Sequence, residues 1–317
     1  MDKIQSEKVF RYANLAVASL VLVGLGMSES IFAPFFPTEA QRHGIGPITI
    51  GFIFGTFPMM MFFGSITSGV LIRKTGISFL IFTGTILAGG CLALFGLLHH
   101  CSSDTAYVIL CFVLRLVEGI GASLYNTAVY SAMSILFPGS ISTVFAILET
   151  AVCSGMVAGP SFGGWLYNLG GFGMPFYFVG SFLLLFGTCS TILLRISRKR
   201  IKSESKEQNE QNCSTNGTHP PMNGIVRSLI LSVDFWILVT SMMIGSIVLQ
   251  FPEPTLALYF ETLGLSDPFY IGMIFLLSAL GYTIFSLIIG RIVDSKPNAE
   301  PYVSESNIVY RTFSYSQ

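Results

Sequence analysis

The sequence predicts an all-α, multi-pass membrane protein of about eight spans, a complete six-helix first half followed by two helices of a second half. Three observations predict it. Long apolar windows alternate with short polar turns, and only 11% of residues are charged where a soluble domain carries roughly 25%. Lysine and arginine fall almost entirely on alternate turns. A glycine-marked pattern recurs at a displacement of 221 residues.

A window of about 20 apolar residues, the length of helix that crosses a bilayer, gives spans at 12–34, 48–72, 77–98, 106–135, 143–167, 173–194, 235–259 and 269–290. Mean hydropathy is +0.68 over the chain. The first apolar run lacks a small-residue cleavage site and reads as a retained span. With the N-terminus in the cytosol, the cytosolic segments hold fifteen basic residues, among them Lys3, Lys8, Arg11, Arg73, Lys74 and the run Arg195 to Lys206, and the opposite side holds only Arg42. An odd number of spans before residue 195 would put the basic run on the wrong side.

Four segments follow: a six-helix membrane half at 1–194, a cytosolic linker at 195–232, a partial second half at 233–290, and a polar tail at 291–317. The linker is basic first, then rich in Ser, Glu, Gln and Asn, the composition of a flexible connector. Ile50-Gly51-Phe52-Ile53-Phe54 recurs as Ile271-Gly272-Met273-Ile274-Phe275, and Gly51 to Gly69 is matched by Gly272 to Gly290, 18 residues in each case. A parallel repeat of this kind is a transporter architecture, and completing the second copy implies a protein of about 440 residues. The expectation is therefore a truncated isoform, an incomplete gene product or a fragment.

Five ionisable residues fall inside predicted spans: Glu29, Arg115, Glu118, Glu149 and Glu253. Each costs about 2.5–3.5 kcal/mol at mid-bilayer, so they must face a protein interior or a wet cavity, or be neutralised. Arg115 and Glu118 are three apart and share a helix face. They suit either a structural ion pair or a cavity-lining pair whose protonation is coupled to substrate. Glu29 lies near the end of its span, where an interfacial role is equally open. Glu149 is a candidate for binding or for a hydrogen bond to a neighbouring helix. Glu253 stands between Pro252 and Pro254, where helix hydrogen bonds are already broken. Tyr125, Asn126, Tyr130 and Tyr259 are near these charges, and aromatic faces can hold organic cations.

Gly155, Gly159 and Gly163 recur every four residues on one helix, with Pro160 and Gly164 beside them. The seam suits close helix packing in lipid, and the proline, which removes a backbone donor, suits a bend. No phosphate-cradling loop, metal-type His or Cys spacing or serine elbow is present in the sequence, so no enzyme, cofactor or metal is expected. The six cysteines read as packed thiols, and a net charge of zero argues against nucleic acid as a partner.

Gly155-x-x-x-Gly159-Pro160-x-x-Gly163-Gly164 resembles the fifth-helix antiporter motif of the major facilitator superfamily's drug:proton antiporters. Arg115-x-x-Glu118-Gly119-x-Gly121-Ala122 resembles that superfamily's fourth-helix motif, whose arginine is implicated in proton coupling. Gly69-x-Leu71-x-Arg73-Lys74-x-Gly76 is similar to its cytosolic gating loop, with Arg73 where the family has Asp; the second copy, Gly290-Arg291-Ile292-Val293-Asp294, keeps the acid. Pro34-Phe35-Phe36-Pro37, Leu148-Glu149-Thr150 and Glu253-Pro254-Thr255-Leu256 resemble the vesicular amine transporters, the polyamine branch most closely. Their first-helix carboxylate is unmatched: Leu25 stands there and Glu29 follows one turn later.

The resemblance implies alternating access and proton-coupled antiport of an organic cation, a polyamine or monoamine-like amine, in a vesicular or plasma membrane. The proton gradient would drive it without a cofactor. Glu118, Glu149, Glu253 and Glu29 would bind cation or protons, and Arg115 would set their affinity for protons. The lipid bilayer, the cation and protons are the expected partners. The alternative is a chain that does not transport but modulates a full-length transporter.

Overall fold

The computed structural model describes residues 2–32, 36–101 and 103–209, together with isolated positions between 236 and 291. Among the described residues the helices are α1 (Asp2–Ser30), α2 (Phe36–Arg42), α3 (Pro47–Thr75), α4 (Ile77–Phe95), α5 (Asp104–Leu136), α6 (Ile141–Gly170) and α7 (Gly173–Asn209). All but the short α2 contain a stretch long and apolar enough to cross a membrane, from Lys8–Ser30 in α1 to Gly173–Ser197 in α7. The six spans expected before residue 195 are thus all present. The spans expected at 235–259 and 269–290 lie outside the described residues, as do Glu253, Gly290 and Asp294. Of the second compact unit few positions are described; there the Thr240 hydroxyl donates to the Trp236 carbonyl at 2.7 Å.

Two boundaries differ from expectation. The helix α1 ends at Ser30 rather than 34, shortly before Pro34 and Pro37, neither of which can donate to a helix. The helix α7 runs through the basic stretch to Asn209, so 195–209 is helix rather than flexible linker. Arg, Lys, Glu and Gln are good helix formers and extend a helix already nucleated in the membrane.

Short turns fix the antiparallel order. Gly76, at φ +83°, occupies the left-handed region between α3 and α4, and its amide donates to the Ile72 carbonyl at 2.9 Å. Arg73 and Lys74 are exposed on the last turn of α3, where cations suit the negative end of the helix dipole. The Ser103 hydroxyl caps α5 by accepting from the Ala106 amide at 3.5 Å, and Asp104 stands in that first turn.

Packing depends on paired glycines, because lipid offers no hydrophobic drive to bring helices together. Between α4 and α5, a methyl on Gly121 would lie 2.6 Å from the Ala88 amide nitrogen, and one on Gly84 would lie 2.7 Å from the Gly121 carbonyl oxygen. Between α4 and α7, Gly89 and Gly180 meet in the same way, each 2.8–3.0 Å from the other's carbonyl once a methyl is added. Between α1 and α6, a methyl on Gly155 would strike the Val23 carbonyl, one on Gly26 the Val152 carbonyl, and one on Gly159 the Ser30 hydroxyl. The seam read from the sequence is therefore the α1–α6 contact. Gly163 is buried on the same face, and Gly164 points into open space. Pro160 does not end the helix, which continues to Gly170.

These contacts separate two neighbouring glycines experimentally. Gly155→Ala should cost about 1–3 kcal/mol through overpacking, read as a lower melting temperature in detergent. Gly164→Ala should melt with the wild type. Equal melting of both variants would mean that the α1–α6 contact is looser than described.

Candidate functional site

The helix α5 packs between α3 and α4, and this sets which of its residues leave lipid. Tyr107, Cys111, Arg115, Glu118, Ala122, Tyr125 and Val129 recur every three or four residues and are all buried. A file of polar side chains therefore runs inside the six-helix half rather than along an open cavity wall. Arg115 and Glu118, for which the sequence left a structural ion pair and a cavity-lining pair both open, are sealed within the bundle: Glu118 is 0% and Arg115 1% exposed.

The Arg115 Nη1 donates to Glu118 Oε2 at 3.1 Å. The guanidinium carbon lies 3.7 Å from the centroid of the Phe32 ring and 4.9 Å from that of Phe57. Arginine's planar, weakly hydrated cation suits such faces. Phe32 is itself held edge-on by Phe95 at 4.5 Å and tilted against Phe176 at 4.9 Å, so the turn that follows α1, with α3, α4 and α7, builds an aromatic wall around one charge on α5. Neither Arg115 Nε nor Glu118 Oε1 has a hydrogen-bond partner among the described residues. The Ser28 hydroxyl, also buried and beside Glu118, donates to the Leu25 carbonyl at 2.8 Å. The pair is thus held by its own ion-pair hydrogen bond and two ring faces, with the Arg115 Nε and Glu118 Oε1 atoms left without a partner among the described residues.

Glu29 is half-buried on the next-to-last position of α1. The structure brings Arg115 and Glu118 together. Glu149 stands apart. It is exposed on α6, and its Oε1 accepts from the Tyr130 hydroxyl of α5 at 2.8 Å. Tyr130 packs edge-on to Phe145 at 5.0 Å and 85°. Among the described residues Glu149 has no basic partner. A hydrogen bond from a neutral phenol leaves its charge uncompensated, and facing lipid it would cost about 2.5–3.5 kcal/mol at mid-bilayer.

Sequence reasoning missed Phe32 and Phe57, which surround the arginine, and a contact at the other end of α5. There the His43 Nδ1 lies 2.8 Å from Asp104 Oδ1, and its ring stacks on buried Tyr107 at 4.2 Å and 18°. This pins the segment after α2 to the start of α5. Arg42, the one basic residue expected on that side, pairs with Glu39 at 3.0 Å. Spacing signals only the last of these, an i,i+3 pair within α2; the others join residues from different segments of the chain.

Residues 18–305 match the family model of the Major Facilitator Superfamily. The chain belongs to that superfamily. It is 30% identical over 296 residues to the MFS-type transporter SLC18B1 of Rattus norvegicus, covering 93% of this chain and 60% of that protein. The Homo sapiens protein of the same name is 30% identical over 295 residues, with 93% and 59% covered. The vesicular acetylcholine transporter of Drosophila melanogaster is 23% identical over 292 residues, with 91% and 47% covered. The chain spans about three fifths of the length of the first two of these relatives. These matches bear out the likeness to vesicular amine transporters, and the chain is a multi-pass membrane transporter-family protein.

The buried pair makes a stability prediction. Glu118→Gln leaves Arg115 charged and without a counter-ion in an apolar interior, and should destabilise the bundle by about 3–5 kcal/mol. Replacing both, Arg115→Met with Glu118→Leu, should recover most of that loss. Thermal unfolding in detergent checks it; a double variant as unstable as the single one would contradict the account.

Proposed function

We propose that the protein is a proton-coupled antiporter of an organic cation. The supporting observation is the ion pair Arg115–Glu118, closed off inside the membrane-spanning helices with one carboxylate oxygen unspent. A carboxylate separated from its cation in such an interior is stabilised by taking up a proton. A motion that parts Glu118 from Arg115 therefore draws a proton onto the carboxylate, and a cation that then meets the protonated acid, Arg115 or the substrate, displaces that proton. Occupancy by cation and by proton are then linked, each weakening the other.

The α1–α6 contact is the element proposed to move. Close backbone approach at Gly155 and Gly159 allows sliding without side chains to unlock, while the pair on α5 senses the state of the bundle. Glu149 and Glu29 carry further negative charge toward the cation, Glu253 is proposed to add to it, and the cytosolic turns at Gly69–Gly76 and Gly290–Asp294 are proposed to gate access. The orientation follows the basic residues, N-terminus in the cytosol, with transport into acidic vesicles or out of the cell. The resemblance of the sequence to the polyamine branch and the name of the Drosophila relative make a polyamine and acetylcholine the first cations to try.

Proteoliposomes containing the 317-residue chain test the proposal. An inside-acid pH gradient should raise uptake of labelled cation, because protons leaving the lumen through the protein return the carboxylates to the ionised form that binds cation. Glu118→Gln should remove the response to the gradient. Uptake that ignores the gradient, or a Glu118→Gln variant that still follows it, would contradict the proposal.

A further inference from the structure

We infer that the end of the six-helix unit where α1 begins and α3 and α7 end is a binding surface for the headgroups of anionic phospholipids. The inference is independent of the antiport reading and needs only that these helices cross a membrane.

The two ends of the unit treat charge differently. At the end where α2 lies, Arg42 pairs with Glu39 at 3.0 Å and His43 meets Asp104 at 2.8 Å. At the other end Lys8, Arg73, Lys74 and Arg195 are exposed and Arg11 is half-buried. Among the described residues none of these five forms an ion pair. The positive-inside bias places cations at one end of a bundle; it does not leave them unpaired. Up to Lys206 this end carries eleven basic residues against the acids Asp2, Glu7 and Glu204. Even full pairing would leave most of the cations over.

The helices set the depth of these charges. The Asn14 amide donates to the Ser197 hydroxyl at 2.7 Å and to the Phe10 carbonyl at 2.8 Å, and Asn14 and Ser197 are both buried. The helices α1 and α7 run in opposite directions, so the turn of α1 that carries Arg11 lies beside the turn of α7 that follows Ser197. The membrane-spanning stretches begin at Lys8 in α1 and end at Ser197 in α7. The helix α7 continues, and Arg198, Lys199, Arg200 and Lys202 fall within its next five positions, about 8 Å of rise. The headgroup layer is roughly 5–8 Å deep on each side of the hydrocarbon. The basic positions therefore stand at the level of the lipid phosphates.

The apolar neighbours favour a lipid over a dissolved anion. Val9 and Tyr12 are exposed on the turn of Lys8 and Arg11, Val70 on the turn before Arg73 and Lys74, and Ile192 and Ile196 around Arg195. A phospholipid brings an acyl chain and a phosphate together and meets both kinds of surface, whereas a free phosphate meets the cations alone. Arginine's fork matches phosphate oxygens in pairs. A headgroup with several phosphates engages several cations at once, which favours phosphorylated inositol lipids over singly charged ones. In the orientation proposed above this is the cytosolic leaflet, the one rich in anionic lipids.

The test titrates the purified full chain, in a neutral detergent, with three probes: a dioctanoyl phosphatidylinositol bisphosphate, dioctanoyl phosphatidylcholine and free inositol trisphosphate. Calorimetry should show the inositol lipid bound at least tenfold more tightly than either of the others, and more weakly as salt is raised. Lys8→Gln with Arg11→Gln and Arg195→Gln should weaken it by about a hundredfold, about fivefold for each cation lost. Arg42→Gln, at the opposite end, should leave it unchanged, and Arg11→Lys with Arg195→Lys, which keeps the charge, should retain most of the binding. Matching melting temperatures establish that the variants fold; if the triple variant does not, the ranking of the three probes on the wild type decides. Phosphatidylcholine bound as tightly as the inositol lipid, inositol trisphosphate bound as tightly as the lipid that carries it, or undiminished binding by the folded triple variant would overturn the inference.

Discussion

A single charged pair inside an apolar bundle constrains the rest of this structure. Arg115 and Glu118 are three apart on α5, in contact at 3.1 Å and buried. Taking two ions out of water is expensive and is offset only when geometry and neighbours are good. Here the neighbours are two aromatic faces on the arginine and its own carboxylate, and every segment that contributes a ring must stay close to α5. The position of the pair thus links the turn after α1 with α3, α4 and α7 through Phe32, Phe57, Phe95 and Phe176.

Closeness in lipid comes from small residues. Gly84 and Gly121 let α4 reach α5, Gly89 and Gly180 let α7 reach α4, and Gly26 and Gly155 let α1 reach α6. Two of these joints hold the aromatic wall, and the third links α1, which runs into the turn bearing Phe32, to the helix bearing Glu149. The structure connects the glycine seam to the charge chemistry through α1 rather than directly.

Much of this was legible in the sequence. The six spans before residue 195 follow from hydropathy, and Arg115 and Glu118 stand out because an ionisable residue in an apolar run needs a reason to be there. The seam of Gly155 and Gly159 follows from its spacing. Gly164 did not distinguish itself from Gly163, because only the neighbouring helix decides which glycine is crowded. Phe32 and Phe57 were hidden among 28 phenylalanines, since any of them packs well in lipid. The bond from Tyr130 to Glu149 crosses from α5 to α6, and a helical period reports on one helix at a time. The extension of α7 to Asn209 was missed because a polar, charged composition is shared by linkers and by helices that leave the membrane.

Linkage between proton and cation is the central claim of the proposed antiport, and proton release measures that linkage directly. Purified protein in weakly buffered detergent solution, given a saturating amine, should release protons in a fixed ratio to amine bound. Glu118→Gln should bind amine with markedly less release. No release from the wild type, or equal release from Glu118→Gln, would contradict the account.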